Sequence, residues 1–179
     1  HAASLPEDFV AESPLMVELV DTLRRIAEQD VTVLVSGETG VGKGRVAELL
    51  HRFSPRRAGT FLQLHCPSLS EGLIEDELFG HEIGAFTGAH SRRIGPFEYA
   101  AGGTLVLDEV GGLSHDGQVA LLRLLETREV RPLGSSRVVP LDVRIVATTS
   151  RDLSEDAERG AFRRDLYFRL NVAQVTVPP

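Results

Sequence analysis

At 179 residues the chain suits one domain burying about 70% of its unfolded surface, so no disulfide or metal staple is required. The single cysteine, Cys66, reads as a small buried side chain and excludes an intramolecular disulfide; no Cys/His grouping has metal-ligand spacing, which points to a reducing cytoplasm. A net charge of −7 argues against this domain gripping nucleic acid by itself, and apolar runs of about five residues fall far short of a membrane span.

Residues 1 to 12 read as a linker or the remnant of a longer chain, since His1 is not an initiator Met. Ser13-Pro14 then reads as an N-cap and first helical residue, and Met16, Leu19, Val20, Leu23, Ile26 and Ala27 recur at helical spacing. "VTVLVS" (31–36) is a buried parallel strand by pattern, followed by a Gly-rich turn and the helix "GRVAELLHRF". The alternation continues with a strand over 61–66, a helix over about 69–79, a Gly-rich loop over 80–95 and a short turn or helix at "GPFEYA". Then come a strand over 103–109, a helix over 116–129, a hairpin over 130–141, a strand over 143–149, a helix over 161–170 and a strand over 172–177. Such alternation predicts an α/β fold with a mostly parallel central sheet flanked by helices and ligands at the carboxyl ends of its strands.

Of the basic residues only Lys43 is lysine, so a chain that otherwise uses arginine keeps one ammonium. It lies in "GETGVGKG", a Gly-x-x-x-x-Gly-Lys pattern between a strand and a helix. In such a P-loop the backbone N–H groups wrap the phosphates and the lysine reaches the outer ones. The candidate ATP-binding set is Gly37, Glu38, Thr39, Gly40, Val41, Gly42, Lys43, Gly44 and Arg45. Gly44 stands where a P-loop usually has the Ser or Thr that ligates Mg²⁺, so the metal must be held elsewhere. "GGTLVLDE" offers Asp108 for Mg²⁺, directly or through water, and Glu109 to polarise the attacking water. Thr149 or Ser150, closing another apolar strand, could contact the γ-phosphate or that water. Arg163 and Arg169 lie six apart on a predicted helix, about 120° from one another, so one could point at a neighbouring subunit while the other braces it.

Together these stretches resemble the central AAA+ domain of bacterial sigma-54-dependent transcriptional activators, the enhancer-binding proteins. "GAFTGA" (84–89) matches that family's signature loop without a change, and "ELFGHE", "GGTLVLDE" and "FRRDLYFRLNV" match nearly as well. The resemblance implies a P-loop NTPase with the AAA+ α/β subdomain over 13–179, stopping before the helical lid. It also implies an ATP- and Mg²⁺-dependent ring, a hexamer in the full-length protein, with Arg163 and Arg169 as arginine fingers. Gly84, Ala85, Phe86, Thr87, Gly88 and Ala89 would contact sigma-54 and drive remodelling of the closed RNA polymerase complex, and DNA binding would fall to a domain outside this chain. Three residues depart from the family: Gly44 replaces Glu, Ser150 replaces Asn, and His65 replaces an Asn that hydrogen-bonds the catalytic Glu. A histidine there could make turnover depend on pH between about 6 and 8. These departures leave open a nucleotide-dependent interaction or regulatory module with slow hydrolysis.

Overall fold

The structure, a computed structural model, describes residues 13–179; the linker expected over 1–12 lies outside the described residues. Helix α1 (Pro14–Ala27) starts as its sequence dictates, because the Ser13 side chain accepts the Met16 N–H and Pro14 needs no donor. Its buried stripe of Leu19, Val20, Leu23 and Ala27 lies on the side packed against α2. Strand β1 (Val33–Ser36) leads through the P-loop into α2 (Lys43–Phe53), and β2 (Phe61–His65) follows.

Only Ile74–Phe79 of the helix expected over 69–79 is α-helical (α3); short 3-10 turns at Cys66–Ser68 and Glu71–Leu73 precede it. Beyond it the chain forms a two-residue clasp, β3 (Gly80–His81) antiparallel to β4 (Arg93–Ile94), and α4 (Pro96–Tyr99). Strand β5 (Thr104–Asp108), a 3-10 turn at Val110–Gly112 and α5 (His115–Thr127) come next. The expected hairpin is β6 (Glu129–Val130) paired with β7 (Val139–Pro140). Strand β8 (Arg144–Thr149), α6 (Leu153–Glu158), α7 (Arg164–Leu170) and β9 (Ala173–Thr176) close the order. Helix α6 is absent from the sequence reading, although Asp152 caps it by accepting the Glu155 N–H at 3.0 Å.

The central sheet has the order β2-β5-β8-β1-β9, and every neighbouring pair is parallel. Composition follows position. β8 is buried along its whole length, β5 and β1 nearly so, whereas the edge strands β2 and β9 alternate with exposed residues. One face packs α1 and α2 residues such as Leu23, Val46 and Leu50 on Val33, Val106 and Val146. The other packs Leu121, Leu124, Phe162 and Leu166 on Leu105, Ile145 and Ala147. Cys66 is buried, and burial pushes its thiol up to about 12, so it is an inert core group. Among the described residues no helix is long and apolar enough to cross a membrane.

Arg144, 2% exposed at the start of β8, donates to the carbonyls of Ala27 (2.9 Å), Ile26 (3.0 Å) and Val31 (3.2 Å). It thereby satisfies the last carbonyls of α1 and the segment leading into β1. Arg144→Met would bury a flexible apolar chain among those acceptors, at a cost of about 2 to 4 kcal/mol of unfolding free energy. Urea titration measures it; a loss below about 1 kcal/mol would mean that water replaces the guanidinium at no cost.

Candidate phosphate site and partner loop

Parallel pairing brings the carboxyl ends of β1, β8 and β5 side by side, with Ser36 opposite Thr149 and Leu107 opposite Ala147. β8 thus lies between the P-loop strand and the acid-bearing strand. Gly40 (φ +86°) and Gly42 (φ +97°) give the P-loop its left-handed turns, and a Cβ at either would meet only open space. The loop therefore needs glycine for backbone conformation. Gly42 is also the N-cap of α2, so the N–H groups of that helix face the loop.

Lys43 is 7% exposed, and its Nζ donates to the carbonyls of Gly37 and Glu38 at 2.9 Å each. The same ammonium lies 3.4 Å from Glu109 Oε1. Across the site Thr148 Oγ1 donates to Asp108 Oδ1 at 2.7 Å and accepts the Glu109 N–H at 3.0 Å. One hydroxyl thereby holds the side chain of the first acid and the backbone of the second. His65 Nδ1 lies 2.9 Å from Asp108 Oδ2, as expected of residues directly opposite in the β2–β5 register. Burial works against the Asp108 carboxylate, but the bonds from Thr148 and His65 and the Lys43 charge outweigh it and hold its pKa below the ordinary value.

Glu109 has φ 51° and ψ 57°, a left-handed conformation that costs a non-glycine residue about 1 kcal/mol or more. Two bonds fix it there, because Ser150 donates its N–H (3.0 Å) and its hydroxyl (2.9 Å) to Glu109 Oε2. Strain of this kind collects where a side chain must be aimed rather than packed. Thr149 is turned away: its hydroxyl donates to the Arg151 carbonyl and accepts the Arg151 N–H. Of the two hydroxyls singled out by sequence, then, Ser150 reaches the acids and Thr149 does not; Thr148 also reaches them, one residue earlier. His65 bonds Asp108, whereas Glu109 is held by Ser150 and Lys43. Gly44 leaves α2 without a hydroxyl at the position after Lys43, and Arg45 is exposed and paired with Glu48 at 3.0 Å.

Arg163 is the N-cap of α7 rather than a residue inside it, and its guanidinium is held bidentately by Asp165 at 3.0 and 2.9 Å. Arg169 lies exposed in the last turn of the same helix. Among the described residues, neither arginine hydrogen-bonds or pairs with the P-loop.

The "GAFTGA" stretch is a folded turn. Gly84 donates to the Ala89 carbonyl (2.9 Å), Ala89 to Phe86 (3.1 Å) and Ala85 to Glu82 (3.2 Å). Gly84 and Gly88 adopt φ of 79° and 97°. The β3–β4 clasp closes its base, and the β6–β7 hairpin supports it from the side, with Glu82 donating to the Leu133 carbonyl and Leu133 to Gly80, both at 2.9 Å. Phe86 remains 43% exposed, its ring edge-on to that of His81 at 4.9 Å, and Thr87 and Gly88 are exposed. A cavity of about 580 Å³ opens beside the ring, lined by Leu73, Ile74, Val119 and Leu133.

A parallel sheet with a Gly-rich turn and lysine after β1, paired acids after β5 and hydroxyls after β8 between them defines a P-loop nucleotide-binding domain. The sigma-54 interaction domain model matches residues 9–176, and the chain belongs to that family, the AAA+ domain of sigma-54-dependent transcriptional regulators. It is 52% identical over its whole length to the C4-dicarboxylate transport transcriptional regulatory protein DctD of Rhizobium meliloti, of which it spans 39%. It is 47% identical over 97% of its length to the Nif-specific regulatory protein of Klebsiella pneumoniae, of which it spans 33%. The chain thus covers well under half the length of these relatives. NtrX of Brucella abortus, crystallised with ATP, superposes with a TM-score of 0.87 at 34% identity over 97% of this chain and 39% of that one. The P-loop NTPase domain of the sigma-54 transport activator of E. coli shares the fold at 20% identity (TM-score 0.61), over 95% of this chain and 99% of that one.

Proposed function

We propose that this domain is the ATP-hydrolysing motor of a cytoplasmic sigma-54-dependent regulator, working in a ring of six copies. The interleaving of β8 between Lys43 and the paired acids carries the reading, because it supports one continuous site for a triphosphate and an attacking water. Lys43, freed from the Gly37 and Glu38 carbonyls, would reach the outer phosphates, while the P-loop N–H groups and the α2 N-terminus bind their negative charge. Asp108 fits Mg²⁺: its depressed pKa keeps it anionic, and with no cluster of three potential ligands among the described residues the remaining coordination would come from phosphate oxygens and water. When bound, Mg²⁺ would neutralise charge on the phosphate oxygens. Glu109, aimed by Ser150, would accept a proton from the water that attacks the γ-phosphorus. Arg163, held by Asp165, and the exposed Arg169 would serve the site of an adjacent copy.

The support for sigma-54 as partner is family membership together with an exposed Phe86-Thr87 tip on a hydrogen-bonded base. The tip would engage sigma-54 within the closed RNA polymerase holoenzyme complex and move it as the phosphate site turns over. Contact with promoter DNA would belong to another domain of the full-length protein. Capture of sigma-54 by full-length protein loaded with a transition-state nucleotide analogue tests this reading. Thr87→Ala is expected to weaken capture by about tenfold or more, the scale of a central contact residue, with ATP turnover unchanged. Equal capture by both proteins would remove the loop from the contact.

A further inference from the structure

Gln118, on the first turns of α5, is 5% exposed and touches neither the phosphate site nor the surface. Its two polar atoms bind two different segments of backbone. Nε2 donates to the Leu113 carbonyl at 3.2 Å, and Oε1 accepts the Arg163 N–H at 2.9 Å. A primary amide suits this place because it has a donor and an acceptor on one rigid plane; of the apolar side chains α5 otherwise buries, none could satisfy either group.

What Gln118 joins is more telling than its burial. Leu113 closes the 3-10 turn that begins at Glu109, with Gly112 donating to the Glu109 carbonyl (2.9 Å) and Leu113 to that of Val110 (3.2 Å). That turn follows the backbone of the acid in its left-handed conformation. The other end of the link is the N-cap residue of α7, whose side chain is held outward by Asp165. A second connection braces the same turn: Arg151 donates to the Gly111 carbonyl at 3.1 Å and pairs with Asp156 at 2.7 Å. The Asp156 carbonyl in turn accepts the Phe162 N–H, directly before Arg163. A shift of the Glu109 turn therefore cannot leave the head of α7 in place without breaking a buried hydrogen bond.

We propose that Gln118 is a positioning residue that couples the acid-bearing turn of one protomer to the arginine it presents to the next. It rests on the reading of Arg163 as a group serving an adjacent copy. In this arrangement the state of one phosphate site sets the placement of Arg163 at its neighbour's site, and turnover is cooperative because a buried amide carries the displacement across α5.

Initial rates of ATP hydrolysis against ATP concentration, measured on the full-length protein under assembling conditions, test the coupling. Gln118→Met keeps the volume and deletes both bonds; Gln118→Asn keeps the amide but is one methylene too short to span the two carbonyl and amide partners. Both are expected to bind a fluorescent ATP analogue and to sediment as the wild type does, while the Hill coefficient falls to about 1 and kcat drops about tenfold. Leu125→Ala, which loosens α5 without touching either bond, should retain the wild-type Hill coefficient. The proposal is overturned by an unchanged Hill coefficient in both Gln118 variants, by an equal fall in Leu125→Ala, or by loss of nucleotide binding or assembly in both variants. A wild type that does not hydrolyse ATP defeats the motor reading itself. One that hydrolyses it with a Hill coefficient of 1 defeats only the coupling.

Discussion

Glu109→Gln in the full-length protein is expected to lower kcat for ATP hydrolysis by about 10² to 10⁴-fold, the range for loss of a general base, with nucleotide affinity changed by about twofold at most. The substitution preserves the length and shape of the side chain. The amide oxygen can still accept the two Ser150 bonds that reach Oε2 at 3.0 and 2.9 Å, so the left-handed backbone at 109 keeps its support. What disappears is the negative charge 3.4 Å from Lys43 and the capacity to take a proton. On the proposed function, binding would fall to the P-loop N–H groups, the α2 N-terminus and Lys43, none of which is altered, and Lys43 loses a competing anion. Equilibrium binding and steady-state turnover on the same preparations separate the two effects. A variant that turns over as fast as the wild type would take the proton-accepting role away from Glu109 and favour the slow-hydrolysis regulatory module.

Gly80→Ala is expected to break the base of the "GAFTGA" loop while leaving the phosphate site in place. Gly80 has φ 73°, and a Cβ there would lie 2.1 Å from the Arg93 carbonyl oxygen and 2.6 Å from the Gly95 nitrogen. Both neighbours are backbone, so neither can swing aside. The β3–β4 clasp consists of two residue pairs, Gly80 with Ile94 and His81 with Arg93, and cannot spread the displacement over a longer ladder. The combined clash and left-handed strain should cost about 3 kcal/mol or more, enough to open the clasp locally. Amide hydrogen exchange should accelerate at Gly84 and Ala89, whose N–H groups are bonded within the loop, while the Arg144 N–H of β8, bonded to the Gly103 carbonyl, remains protected. Sigma-54 capture should fall with ATP turnover retained. Unchanged exchange across 80–95 would show that the clasp does not support the loop.

The sequence made the sheet legible because its central strands are buried on both faces. Runs such as "VTVLVS", "GTLVLDE" and "VRIVATT" admit few polar residues before their ends, so the abrupt arrival of Lys43, Asp108 and Glu109 stands out. Of the short elements, the turn or helix at "GPFEYA" and the hairpin over 130–141 were legible, and the others were not. Two-residue strands such as Gly80–His81 and Arg93–Ile94 have no periodicity to detect, and α6 is only six residues long. Within the site, the acids and lysine carry their own chemical signature, but Thr148 does not. It is one of two adjacent threonines, and only the pleat of β8 decides that Thr148 faces Asp108 while Thr149 turns into a local bond with Arg151. Gln118 was equally hidden, as a lone amide in a helix of leucines whose two partners lie 5 residues before and 45 residues after it. The His65 contact was misdirected for a related reason. The register pairs His65 with Asp108, so its ring meets the first acid of the pair, and Glu109 has already left the strand in a left-handed turn.

The strand order also governs how the domain is born. Among the described residues β1 pairs with β8 and β9, with Val33 opposite Val146 and Ala173. Its nearest partner therefore lies 113 residues later (146 − 33), a stretch that a ribosome adds in on the order of ten seconds. Throughout that interval the strand leading to the P-loop lacks a partner at both edges, while β2 and β5 can already join. Loop-closure entropy makes the late pairing slow as well. The lysine-bearing turn thus follows a strand that gains both of its sheet neighbours only when nearly all of the domain has emerged.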